Sequence, residues 1–265
     1  AAMKVVVIGA RMPGLLAGIR LSRAGIAFEI VEKHADVGGV WLENTYPGCR
    51  VDSANHLYNH SFVHGHEWPN WFSRQPVLLK YFQELADRFE LRPHIRFETE
   101  VVSTVFDEAR ARWNVRVRDQ SGAERVIEAT AVSSAVGQLN QPKYPDIPGI
   151  ESFTGTTMHS ARWDPKIDLR GKRVAVIGTG ASAYQIIPAI AASVESLTVF
   201  QRSPVWMTPQ PDYHFEVGEG FKWLLKNVPF YEKWFRFRQF WRSTEGVYSV
   251  VKKDPEWKDP SNSIS

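Results

Sequence analysis

The chain has 265 residues, enough for one large domain or two ordinary ones, and 43% hydrophobic with 23% charged residues is the balance of a soluble globular protein. A formal charge of +3 without a long basic run argues against nucleic acid as a partner. The single cysteine, Cys49, excludes an intrachain disulfide and a multi-cysteine metal site, so no metal is expected, and it fits a reducing compartment, the cytoplasm. No run of about 18 apolar residues appears, so no membrane span is expected. The first strand begins almost at once, which leaves no room for a signal peptide.

Lys4–Gly9 (KVVVIG) reads as a buried parallel strand entering a glycine turn. Leu15–Ala24 has helix-forming composition with Gly25 as its stop, and Ala27–Glu32 is the next strand, so residues 4–32 form a βαβ unit. Residues 36–76 are rich in Gly, Pro, Asn, His and Trp and show no period, the mark of a functional loop. A helix is expected over Pro76–Phe89 and an antiparallel meander over residues 95–132, turning at Asp119–Gly122. The proline-rich Gln141–Gly149 is the expected boundary between a domain at 1–149 and a second at 150–265.

In the second domain, strand Lys172–Gly178, helix Ala181–Ala192 and strand Ser196–Phe200 repeat the opening unit. The expected fold is therefore α/β: two Rossmann-like dinucleotide-binding domains, the second incomplete, followed by a helical, aromatic-rich segment. In that segment Phe230, Trp234, Phe237 and Trp241 share one helix face, ringed by Lys233, Arg236, Arg238 and Arg242. Packing of this face on the protein, or on a missing part of it, is the first expectation and a membrane surface the alternative. Lys252–Ser265 is expected to fray. Ten tryptophans and fifteen phenylalanines fit either a large core or a pocket for a flat, greasy ligand.

A dinucleotide sets its pyrophosphate at a helix N-terminus, where free N–H groups and the helix dipole favour negative charge, and glycines permit the turn, the close approach and the helix packing. Gly178-Thr179-Gly180-Ala181-Ser182-Ala183 matches this pattern between a strand and a helix. The next strand leads into Arg202 and Ser203, where an arginine accommodates a 2′-phosphate, so NADP(H) is expected over NAD(H); a plain solvated arginine is the alternative. The first unit keeps Gly9 and Gly14, but Arg11 stands where the backbone should touch phosphate, and Pro13 removes an N–H donor. Glu32 ends the next strand, placed for a ribose, with Lys33 beside it as a further candidate cofactor contact.

Three stretches give the chain a family likeness. Gly38-Gly39-Val40-Trp41 with Asn44–Gly48 is one, and Phe153, Gly155, His159 and Trp163, followed by Asp164, have a fingerprint spacing; the paired glycine motifs flank that fingerprint. Together they resemble the N-terminal half of a type I Baeyer–Villiger monooxygenase, a branch of the flavin-dependent monooxygenases. The resemblance implies FAD in the first domain and NADPH in the second. It implies attack of a flavin peroxide, formed from O2, on a small hydrophobic carbonyl substrate to give an ester or lactone. It further implies that Asp52 is the active-site aspartate beside the flavin, that Trp41, Tyr46 and Tyr58 line the flavin pocket, and that His159 and Trp163 couple the domains. The family's essential arginine matches no residue here. The likeness leaves two readings, a half completed by a homodimer or a second half-chain, and a homologue that has lost FAD use and works without flavin or only binds NADP. N-hydroxylating and sulfur-oxidising flavin monooxygenases share the glycine motifs but not the fingerprint spacing.

Overall fold

A computed structural model describes residues 3–139, 141–205, 207 and 209–245. The segment expected to fray, Lys252–Ser265, lies outside the described residues. Contacts group the chain into two compact units, one of Ala1–Arg50 with Arg74–Thr208 and one of Val51–Ser73 with Pro209–Ser265. This division differs from the cut expected after residue 149. The aperiodic loop leaves the first unit and pairs with the C-terminal segment, whereas the second glycine motif stays with the first unit.

The first unit is built on a parallel sheet. Strand β1 (Lys4–Ile8) runs between β2 (Ala27–Val31) and β7 (Ala131–Ser134), and β3 (Ile95–Arg96) pairs with the outer side of β2. Val5, Val6 and Val7 are all buried because a central parallel strand is covered on both faces, which explains the unbroken apolar run. Helix α1 (Met12–Arg23) begins with Pro13 in its first turn, where a missing N–H costs nothing. The four-residue α2 (Val40–Glu43) follows the glycine pair, and α3 (Gln75–Arg88) buries Leu78, Tyr81, Phe82 and Leu85 on one face at helical spacing.

The antiparallel meander consists of β4 (Thr99–Asp107), β5 (Arg112–Asp119) and β6 (Glu124–Ala129). It is shorter than the span 95–132, because β3 and β7 at its two ends join the parallel sheet. Its alternating apolar residues Val115, Val117, Ile127 and Ala129 close one core cluster with Val6 and Val31. The expected turn forms with Asp119 Oδ1 accepting the N–H groups of Ser121 and Ala123. The second βα unit is a two-stranded parallel sheet of β8 (Arg173–Ile177) and β9 (Ser196–Phe200) with α4 (Ala181–Ile190) between them in sequence. Ile177, Val199 and Phe200 on this small sheet are exposed, which agrees with an incomplete Rossmann unit.

In the second unit the loop 51–73 closes on itself through Asn55. Its side-chain nitrogen donates to Asn70 O, and its Oδ1 accepts the Ser73 N–H. Two helices follow, α5 (Glu219–Asn227) and α6 (Tyr231–Ser243). The stripe on α6 is not buried by this chain: Phe230, Trp234, Phe237 and Trp241 are 79%, 52%, 61% and 54% exposed, and Phe235 is the buried residue. Phe235 meets His56, Trp71 and Phe221 in an aromatic socket. Arg236 next to it donates to the carbonyls of His56 and Leu57 and to Asn59 Oδ1. Among the described residues no helix is long and apolar enough to cross a membrane.

Candidate nucleotide-binding site

The first cradle keeps the backbone that its glycines require. Gly9 turns the chain at φ +100°, and a Cβ there would stand 2.9 Å from Ala135 O. A Cβ on Gly14 would stand 1.9 Å from Gly9 O, so only glycine lets α1 rest on this turn. Glu32 is buried; its carboxylate accepts the N–H of Ala10 at 2.7 Å and of His34 at 3.0 Å, tying the end of β2 to the turn. Gly38 N–H donates to Ala10 O, which lays the Gly38–Trp41 loop beside the cradle.

Arg11, at the phosphate position, is itself buried. A Cβ on Gly39 would lie 2.4 Å from Arg11 Cγ, and one on Gly137 would lie 3.4 Å from Arg11 Cδ. The arginine stem therefore runs through the slot that these glycines leave, and its Nη2 reaches Glu43 Oε1 at 3.1 Å. His34 also hydrogen-bonds Glu43, and Lys33 Nζ stands 3.9 Å from the same carboxylate. Burial pushes the Glu43 carboxyl up, but the His34 hydrogen bond and the charges of Arg11, His34 and Lys33 outweigh it and hold it below its ordinary value. Glu43 and His34 were not legible as site residues, since nothing in the spacing links them to Arg11. In this arrangement the first cradle keeps a dinucleotide frame, with the Arg11 stem lying between Gly39 and Gly137.

The second cradle is open. Gly178 turns at φ +103°, and a Cβ on Gly178 or Gly180 would meet nothing within 4 Å. Gly180 caps α4, and Ala181, Ser182 and Ala183 form its first turn, so their N–H groups face the free side of the helix end. Arg202 and Ser203 are exposed after β9, and Arg202 pairs with no carboxylate among the described residues. These residues fit a dinucleotide with a 2′-phosphate.

Gln185 of α4 joins this cradle to the loop that resembles the family's flavin loop. Its Oε1 accepts from Tyr46 Oη at 3.0 Å and from Arg50 N at 3.2 Å, and its Nε2 donates to Arg50 O at 2.7 Å. Gly48 (φ +80°) fits there because a Cβ would lie 2.4 Å from Gln185 O. Gln185, the one amide side chain of α4, was the signal that could have revealed it. Trp41 is buried, and its carbonyl accepts the Gln75 side chain. Cys49 is buried, and its thiol is pushed up to about 11, far from a reactive thiolate.

In the fingerprint, the Phe153 ring lies over Gly155, where a Cβ would come within 2.5 Å of it. His159 Nδ1 accepts the Ala161 N–H and caps a short turn, its ring 5.2 Å from that of Tyr144. Trp163 O accepts the Thr45 hydroxyl at 3.4 Å. Asp52 and Tyr58 belong to the second compact unit; Asp52 is exposed, and no arginine pairs with it among the described residues.

A family model for flavin-binding monooxygenase-like proteins matches residues 2–225. A monooxygenase of Sinorhizobium fredii is 42% identical over 99% of this chain and 39% of its own length. A Baeyer–Villiger monooxygenase of Streptomyces coelicolor is 46% identical over 79% of this chain and 40% of its own length. The chain thus spans about four tenths of the length of these curated relatives. Among solved structures, OTEMO in complex with FAD and NADP superposes with a TM-score of 0.78 at 36% identity, over 85% of this chain and 43% of that one. Open cyclohexanone monooxygenase superposes with a TM-score of 0.79 at 34% identity, over 89% and 46%. The chain belongs to the flavin-binding monooxygenase-like family, and within it the similarity lies with the Baeyer–Villiger monooxygenases.

Proposed function

We propose that this chain supplies the dinucleotide-binding part of a Baeyer–Villiger-type monooxygenase. It places FAD with residues 1–149, NADP(H) with residues 150–265, and O2 and a small hydrophobic ketone as substrates, with an ester or lactone as product. The observation that carries the reading is the open cradle at Gly178–Ala183 with Arg202 after the next strand, in a chain of this family. Gly178 and Gly180 let phosphate approach, Ser182 and the α4 N–H groups hold it, and Arg202 meets the 2′-phosphate. In the first domain Gly9, Gly14 and Glu32 form the frame, with Gly39, Val40 and Trp41 toward the flavin; family likeness supports Tyr58 as a flavin contact and Asp52 as the catalytic carboxylate. His159 and Trp163 hold the connector. The exposed apolar residues of β8 and β9 and the stripe on α6 support a second copy or a complementing chain as partner. Buried, thiol-form Cys49 supports the cytoplasm.

Arg11 favours a second reading, a homologue that keeps NADP(H) and has lost FAD, acting as a flavin-independent enzyme or a binding module. One experiment separates them. The purified chain is titrated with FAD and NADPH, and its visible spectrum, NADPH oxidation and conversion of a cyclic ketone are followed. A flavin spectrum with lactone formation establishes the oxygenase. A colourless protein that binds NADPH and ignores FAD discards it for this chain alone, in favour of the second reading.

A further inference from the structure

Two glycines of positive φ, Gly39 and Gly137, border a slot beside the N-terminus of α1. Glycines border such a slot when something must pass between them, and here the Arg11 stem passes. Its guanidinium is not offered to a ligand. It pairs with Glu43, and both side chains are nearly sealed from solvent at 8% and 5% exposure. Two charges taken out of water hold each other, because separating them leaves each one desolvated and unpaired. His34 hydrogen-bonds the same Glu43 oxygen, Oε1, so the acceptor is held in place by a second partner when the arginine moves outward.

We propose that Arg11 is a stopper in the first dinucleotide cradle, latched by Glu43, and that a dinucleotide diphosphate enters only when Arg11 leaves the slot. This rests on reading residues 1–149 as a dinucleotide-binding domain. The stopper is internal to the chain and competes with the ligand for one space. Binding is therefore weakened by the fraction of molecules with the slot shut, and its rate is limited by opening.

The test titrates FAD into the full chain and into Arg11→Gly, Arg11→Ala and Glu43→Gln, by flavin fluorescence at equilibrium and by stopped flow. NADPH binding is measured in each protein to show that it is folded. Arg11→Gly is expected to tighten FAD tenfold or more, with Arg11→Ala as the check should the glycine variant not fold. Glu43→Gln, which cuts the latch and leaves the arginine in place, is expected to tighten FAD by less. The association rate of the unaltered chain should level off as FAD is raised, while that of Arg11→Gly should keep rising. If the unaltered chain binds FAD as tightly as both Arg11 variants, the stopper is wrong and the FAD reading stands. If no variant binds FAD while all bind NADPH, the stopper and the FAD reading fall together. Glu43→Gln without any tightening removes the latch from the account.

Discussion

Lowering the pH should loosen the compact unit that carries Asp52 and Tyr58, through His56. This histidine is 6% exposed, with its ring against Trp71, Phe221 and Phe235 at 5.4, 5.8 and 5.4 Å. Its Nδ1 is buried without a hydrogen-bond partner, while Arg236 uses the backbone carbonyl of the same residue. Burial, aided by the charge of His66, draws its pKa from 6.5 down to about 4. The folded chain thus keeps the ring neutral where the unfolded chain already binds a proton. The contribution is fully present above pH 6.5, declines by about 1.4 kcal/mol per pH unit below it, and levels off near pH 4 after a loss of roughly 3 kcal/mol. Glu29, Asp36, Glu43 and Asp168 are held below their ordinary values and titrate further down, which leaves the range from 6.5 to about 5 to histidines. Urea unfolding followed by tryptophan emission should show the native protein losing roughly 2 kcal/mol between about pH 7 and pH 5. His56→Leu, which keeps the socket filled and removes the titrating group, should lose less than half as much. An equal loss in both proteins would refute burial of His56 as the cause.

Gly48→Ala meets both a positive φ and the carbonyl of Gln185, and should cost about 2–4 kcal/mol; thermal unfolding checks it, and an unchanged Tm would mean that the loop does not rest on α4. Arg202→Ala should weaken NADPH about tenfold and leave NADH nearly untouched, as measured by fluorescence titration; equal losses for the two nucleotides would remove the 2′-phosphate role. Glu32→Gln turns an amide toward two backbone N–H donors, should cost about 1–3 kcal/mol in urea unfolding, and would contradict the tie between β2 and the turn if it were neutral.

What was legible in the residues was local. The β-branched run before Gly9, the run before Gly178 and the strand Ser196–Phe200 each carry their signal within a few neighbours, and the structure has β1, β8 and β9 there. The apolar spacing of α3 likewise holds, since Leu78, Tyr81, Phe82 and Leu85 could pack only as one face. What the pattern could not show is a question of partner. Periodicity shows that α6 has an aromatic stripe but not that a different side will dock. Phe235 wins because His56, Trp71 and Phe221 already form a socket from distant segments, and Arg236 satisfies acceptors of the 56–59 turn. Loop 51–73 has no period at all, so its pairing with the C-terminal segment leaves no trace in pattern.

Arg11 shows the same limit at the site itself. Its place in the motif reveals that phosphate approach is disturbed, but an arginine there could equally turn outward to solvent or forward to meet an anion. The choice belongs to Glu43, a carboxylate with His34 and Lys33 already around it. An outward arginine would leave that carboxylate with one fewer cation and the slot between Gly39 and Gly137 unfilled; the inward arginine satisfies both, at the cost of desolvating its own charge. A diphosphate that needs the space inside the slot has to break the Arg11–Glu43 pair to enter it. If Arg11 is the stopper, whether the chain takes FAD turns on the cost of parting its guanidinium from Glu43.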